Sequence, residues 1–218
     1  MAKQLEKSLL SQQEIKFLSH LFFDDKKFSM QYFLVNNYQY FLKKALQFEQ
    51  KIWHQCKYGD LEAEGYRDLI DQTKFIGGFD NHGDCHAVTC SFIKGKELPP
   101  FLARFEFFSQ ELKNKIIQQF NSGLIDEVGT VAVDYRGIKS GSALRMWALV
   151  FLDGSLRGVQ AWGIIMEPER VEKIINKYNL PFKQVGPPIN YQGAYCAPHL
   201  ITIDGVRQSN VARFVQNI

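Results

Sequence analysis

The sequence predicts a mixed α+β fold: a mixed, mostly antiparallel sheet flanked by helices, with a helical N-terminal extension. Three observations predict it. Apolar residues recur every three or four positions through residues 1–72, short alternating runs begin near Gly77, and beyond residue 109 helical and strand-like segments take turns. With 45% hydrophobic and 14% aromatic residues against 22% charged, the 218-residue chain can fill a globular core. Its length fits one large domain or a domain with an extension, and the change of pattern divides it into an extension over 1–72, packed on a core over 73–218.

The elements follow in order. QLEKSLLSQQEIKFLSHLFF and FLVNNYQYFLKKALQFEQKIWHQCKYG read as helices, the second ended by Gly59. Their dense aromatics either cap one edge of the core or wall a pocket for an apolar ligand. GGFDNHGDC reads as a turn-rich loop, HAVTCSFI as a strand, GKELPP as a turn and FLARFEFF as the strand pairing back. SQELKNKIIQQFNSG is an amphipathic helix with Ser109 as N-cap, Glu111 in its first turn and Gly123 closing it. DEVGTVAVDY is a strand, SALRMWALVFLDGSLRG a helix closed by Gly158, and VQAWGIIM a strand. EPERVEKIINKYN is a helix with Pro168 in its first turn, where the missing N–H does no harm. KQVGPP and APHLITI read as strands around the loop INYQGAY.

Charge and cysteine content exclude several classes. A net charge of +3 with scattered Lys and Arg lacks the concentrated basic face of nucleic-acid binders, and suits an acidic protein or a phosphorylated small molecule better. No run approaches the ~18 apolar residues of a transmembrane segment, and the N-terminus lacks a secretory signal core, so a cytoplasmic location is expected. Cys56, Cys85, Cys90 and Cys196 form no CxxC pair and read as reduced thiols. His82, Asp84 and His86 lie close in sequence, but no second cluster completes a ligand set, so no metal is expected. There is no GxSxG nucleophile elbow.

VAVDYRGIKSGSALRMW carries the most chemistry. A strand here delivers the chain to a loop with Arg136, Lys139, Ser140, Gly141 and Ser142, then to a helix start. Backbone N–H groups and the positive end of the helix dipole converge there, an arrangement that attracts phosphate. The loop is neither a Walker A nor a GxGxxG, and an ordinary strand-to-helix turn is the alternative.

DEVGTVAVDYRGIKSGSAL resembles the strand and donor loop of the GCN5-related N-acetyltransferase (GNAT) superfamily. Arg136 and Gly141 match the ends of the loop pattern, and Lys139 stands where its first Gly is expected. Three further passages are similar to the N-acyl amino acid synthases and acyl-homoserine-lactone synthases of that superfamily. They are Tyr66 and Arg67 in GYRD; Phe79, Asp80, His82 and His86 in GFDNHGDCHAV; and the closing VGPPINYQGAYCAPHLITI. The order of the four carries the resemblance, over about residues 66–204.

The resemblance implies a GNAT-like acyltransferase core with no permanently bound cofactor. An acyl-phosphopantetheine thioester, on acyl carrier protein or coenzyme A, would be the co-substrate, and an amino acid or similar small molecule would be the amine acceptor. It implies that the backbones of Val131 and Val133 hold the pantetheine, with the Val133 N–H polarising the thioester carbonyl, and that Arg136, Lys139, Ser140, Gly141 and Ser142 hold phosphate. Glu127 matches the glutamate expected as base; the alternative is a strand-end carboxylate facing water. Thr130 replaces an Arg of the lactone synthases, which argues against S-adenosylmethionine as acceptor. Asp80 and Arg104 are expected at the acceptor, Arg104 either through a ligand anion or paired with Glu106. Rival readings are an acyl- or lipid-binding protein of the same fold, and an acetyltransferase acting on a protein amine.

Overall fold

The computed structural model describes residues 30–56, 69–139 and 141–212. The expected first helix, Gly59, Tyr66, Arg67 and Ser140 lie outside these residues.

An edge strand β1 (Gln31–Leu34) is followed by α1 (Gln39–Gln55), β2 (Thr73–Phe79) and β3 (Cys85–Phe92). Then come a short α2 (Pro100–Ala103), α3 (Gln110–Asn121), β4 (Ile125–Val133), a short α4 (Tyr135–Lys139) and α5 (Ser142–Leu156). The chain continues through β5 (Ala161–Met166), α6 (Pro168–Tyr178), β6 (Lys183–Gln184), β7 (Ile189–Tyr191), β8 (Ala194–Thr202) and α7 (Ile203–Arg207). The sheet order is β1-β2-β3-β4-β5-β8-β6, with β7 added to β8. Every pairing is antiparallel except β4 with β5.

Strand alternation sorts side chains between two helical layers. From β2 and β3, Phe75, Phe79, Val88, Cys90 and Phe92 face α1, whose Ala45 and Phe48 pack on them. Ile76, Ala87 and Val128 turn to the opposite face and meet α5. That helix buries every residue from Met146 to Phe151, with Met146, Leu149, Val150 and Phe151 each contributing about 1.5–3 kcal/mol, so it lies locked against the sheet. α3 packs Ile116 and Phe120 on Ile125, Ala161 and Phe101 in a third cluster.

Local chemistry sets the helix ends. Ser109 accepts the Leu112 N–H at 3.1 Å, Gly123 follows α3 at φ +75°, and Gly158 follows α5 at φ +86°.

Six expectations need correction. GGFDNHGDC is a loop only from Asp80, because Gly77–Phe79 pair with β3 as the end of β2, and Arg136 and Lys139 sit in the short helix α4 rather than in a loop, since β4 ends at Val133. Residues 31–34 are a strand, not the start of a helix: YFL alternates and pairs with β2 before the helix opens at Gln39. FLARFEFF is not a strand, because Pro100 at the first helical position turns the chain into α2 and the remainder is irregular. KQVGPP keeps only two strand residues before Gly186-Pro187-Pro188, since proline cannot donate to a ladder. INYQGAY is a hairpin rather than a loop: Gln192 and Gly193, at φ 53° and 82°, make the tight turn between β7 and β8.

Candidate active site

β4 and β5 pair only from Ile125–Val128 to Ala161–Ile164 and then part. Gly129 begins the separation. β3 residues Cys90 and Ser91 pair with Thr130 and Val128, so Gly129 is the extra residue of a β-bulge. A Cβ there would lie 2.7 Å from Cys90 Sγ and from a Phe92 ring carbon, which is why the bulge carries glycine. Beyond it, Gly129–Val133 and Ile164–Met166 form opposite walls of a cavity of about 320 Å3. That is within the ~300–1,000 Å3 typical of small-molecule sites.

The bulge also decides what faces this cavity. Val128 sits in the α5-side core while Ala132 sits in the α1-side core, so side-chain alternation shifts by one across Gly129. Glu127 and Thr130 consequently share the cavity. Main-chain groups are sorted by the same ladder: Asp134 donates to the His86 carbonyl at 3.1 Å, so alternation directs Ala132 and Thr130 toward β3. Val131 and Val133 therefore turn their N–H and C=O groups toward the gap beside β5.

Glu127 is 2% exposed, which removes the water-facing alternative. Its Oε2 accepts the Phe101 backbone N–H at 2.8 Å, and α2 thereby closes over the carboxylate. The opposite wall comes from the last turn of α1, where Ile52, Trp53 and Cys56 line the cavity and Trp53 Nε1 lies 3.4 Å from Thr130 Oγ1. α1 is thus both core cap and pocket wall. Tyr191 and Gln192 of the β7–β8 hairpin, with Cys196, complete the lining, and Glu167 and Arg170 stand where β5 hands over to α6.

At the other end of β4 the chain passes through α4 to Gly141, which caps α5 in the left-handed conformation at φ 73°. Ser142, in the first turn of α5, is fully buried and its hydroxyl lies 2.6 Å from that of Tyr32. Lys139 Nζ stands 4.5 Å over the exposed Tyr135 ring. Arg136 donates to Asp80 Oδ2 at 2.6 Å. His86 joins the same group, with Nδ1 2.7 Å from Asp134 and Nε2 3.3 Å from Asp80.

Asp80 is buried and also accepts the backbone N–H groups of His82 and Asp84 at 2.9 and 3.0 Å. Burial alone would raise its carboxyl; those two N–H groups, His86 and Arg136 outweigh it and hold the group below the ordinary carboxylate range. It therefore pins the β2–β3 loop to α4.

Of the residues expected from sequence, the cavity gathers Glu127, Val131 and Val133, and the strand-to-helix turn beside it carries Arg136, Lys139, Gly141 and Ser142. Asp80 and Arg104 are not among the residues lining the cavity. Arg104 is exposed at the end of α2, and the Asp84 carboxylate pairs with Lys44 at 3.2 Å. Ile52, Trp53, Glu167, Arg170, Tyr191, Gln192 and Cys196 were not singled out from sequence. They come from elements distant in the chain; the aromatic density of the N-terminal segment points toward Ile52 and Trp53, and the closing passage VGPPINYQGAYCAPHLITI contains Tyr191, Gln192 and Cys196, while Glu167 and Arg170 have no such signal.

No protein-family model matches the chain, and no curated protein matches it in sequence. Solved structures do. The N-acyl amino acid synthase FeeM from uncultured soil microbes superposes with a TM-score of 0.65 at 14% identity, covering 85% of this chain and 97% of that one. The coenzyme A-dependent acyl-homoserine lactone synthase BjaI, solved with S-adenosylmethionine and isopentyl-coenzyme A, gives 0.55 at 14% identity over 84% and 83%. A GNAT-family acetyltransferase from Staphylococcus aureus Mu50 gives 0.53 at 7% identity over 80% and 99%. The chain has the GNAT fold, and the resemblance seen in the sequence holds at the level of fold.

Proposed function

We propose that the chain is an N-acyltransferase that moves an acyl group from a phosphopantetheine thioester to the amine of an amino acid or similar small molecule. The observation that carries this reading is the parting of β4 from β5 around a cavity with the buried Glu127 carboxylate at its paired end. The outward-turned backbone of Val131 and Val133 suits the amide-bearing pantetheine arm, which would lie as a substitute strand in the gap. The named activities of FeeM and BjaI, both acyl-transferring synthases, support the same class.

The chemistry follows from the geometry. The acceptor enters as an ammonium ion, and Glu127 takes a proton from it as the nitrogen lone pair attacks the thioester carbonyl. Charge gathers on the carbonyl oxygen, where the Val133 N–H donates. The C–N bond forms, the C–S bond breaks, and the pantetheine sulfur leaves as a thiolate that takes up the second proton lost by the attacking nitrogen, which leaves the neutral amide. Ile52, Trp53, Phe92, Ile164, Ile165 and Met166 supply an apolar wall suited to a medium or long acyl chain.

Arg136, Lys139, Gly141 and Ser142, with Ser140 between them in sequence, would receive the donor phosphate. Lys139 in place of the expected glycine suits a single phosphate better than a pyrophosphate, which favours acyl carrier protein over coenzyme A. The test is incubation with acyl carrier protein and coenzyme A thioesters of varied length and a mixture of amino acids, read by mass spectrometry. N-acyl amino acids support the reading; acyl chains retained on the protein without product overturn it in favour of a binding protein.

A further inference from the structure

We propose that Arg170 binds the donor phosphate from the β5 side of the gap, opposite the loop on the β4 side. The inference rests on the donor reading above and adds a residue to it. Arg170 is the one Lys or Arg among the described residues lining the cavity. On the β4 side Arg136 is already bonded to the buried Asp80 carboxylate, so only part of its charge reaches an incoming anion.

Strand geometry puts Arg170 at the right depth. Ile164 is the last β5 residue paired with β4, opposite Val128. Glu167 lies three residues farther, about 10 Å at the rise of a strand, which brings it level with Val131–Val133 across the gap. Arg170 stands one helical turn on, its backbone N–H bonded to the Glu167 carbonyl at 2.9 Å. The two strands run parallel, so this is the end of the gap at which β4 passes into α4 and the start of α5. A phosphate at that end has the β4–α5 turn on one side and Arg170 on the other.

The Arg170 guanidinium is paired with the Glu167 carboxylate, and its side chain is half exposed. Such a surface pair contributes little to stability, so exchanging the carboxylate for a more highly charged phosphate costs little. Glu167 keeps the cation oriented along the cavity mouth until a donor arrives and competes with the phosphate for it. An acceptor carboxylate has the same anion chemistry, and the experiment separates the two sources.

Binding of 4′-phosphopantetheine and of pantetheine, which lacks the phosphate, is measured by calorimetry on the full chain and on R170Q and E167Q. R170Q is expected to weaken 4′-phosphopantetheine by about tenfold and leave pantetheine unchanged. E167Q, which removes the competing carboxylate, is expected to tighten 4′-phosphopantetheine severalfold; a merely structural ion pair predicts no gain. If the unaltered chain prefers 4′-phosphopantetheine and R170Q keeps that preference, Arg170 is not the phosphate ligand while the donor reading stands. A loss in R170Q seen only as a raised KM for the amino acid assigns the arginine to the acceptor carboxylate and overturns the inference. If the unaltered chain binds neither probe, the donor reading fails and this inference fails with it.

Discussion

The Glu127 carboxylate accepts the backbone N–H of Phe101 at 2.8 Å, joining the paired end of β4–β5 to the short helix that covers it. One carboxylate thus fastens α2 and faces the cavity. Glutamine keeps an acceptor oxygen for Phe101 but removes the basic carboxylate. E127Q should therefore fold normally and bind donor as well as the parent does, with turnover lowered about 100- to 10,000-fold. Steady-state kinetics alongside 4′-phosphopantetheine calorimetry checks this, and unchanged turnover would refute the assignment as base.

Gly129 opens the gap, and any side chain there meets Cys90 and Phe92. G129A should cost about 1–3 kcal/mol in thermal or denaturant unfolding and lower donor affinity together with turnover. In a C90A background part of the stability should return, because one of the two contacts is relieved. Equal costs in both backgrounds would show that the clash with Cys90 is not the cause.

The four thiols differ sharply in access. Cys56 is exposed at the end of α1 and lines the cavity, Cys90 and Cys196 are buried, and burial pushes the Cys85 thiol up to about 12. A bulky maleimide at pH 8 should label Cys56 first and abolish turnover as it fills the cavity mouth, while C56S keeps activity through the same treatment. Peptide mapping by mass spectrometry identifies the site.

Asp80 links acid stability to the β2–β3 loop. Its folded-state value lies below the unfolded one, so its contribution is present above the unfolded carboxylate range and is lost as pH falls through the lowered folded value. D80N should cost about 2 kcal/mol at pH 7 and progressively less at pH below about 4. Urea unfolding of both proteins across that range measures the difference, and a cost independent of pH would contradict it.

Signals that act within a few residues were legible in the sequence. Ser109, Gly123, Gly158 and Pro168 mark helix ends through their own backbone and side-chain chemistry, and all four stand where expected. Pairings between distant segments were not. Alternation over Glu127–Val131 places Thr130 opposite Glu127, whereas the bulge at Gly129 brings them to one face, a shift set by β3. Arg136 shows in sequence as a loop cation, but its partner Asp80 lies 56 residues earlier. FLARFEFF mimics a strand because apolar residues fall at 101, 103, 105 and 107, yet the same spacing serves a proline-led helical turn followed by an irregular segment that buries Phe105.

The central claim is transfer of an acyl group from a phosphopantetheine thioester to an amine, and its most direct measurement is the stoichiometry of thiol release against N-acyl product. With acyl-phosphopantetheine thioester and amino acid supplied together, one free thiol should appear for each N-acyl amine formed, and neither should accumulate when the amine is omitted. Thioester consumed without N-acyl product, or thioester bound and left intact in the presence of amine, would contradict the account.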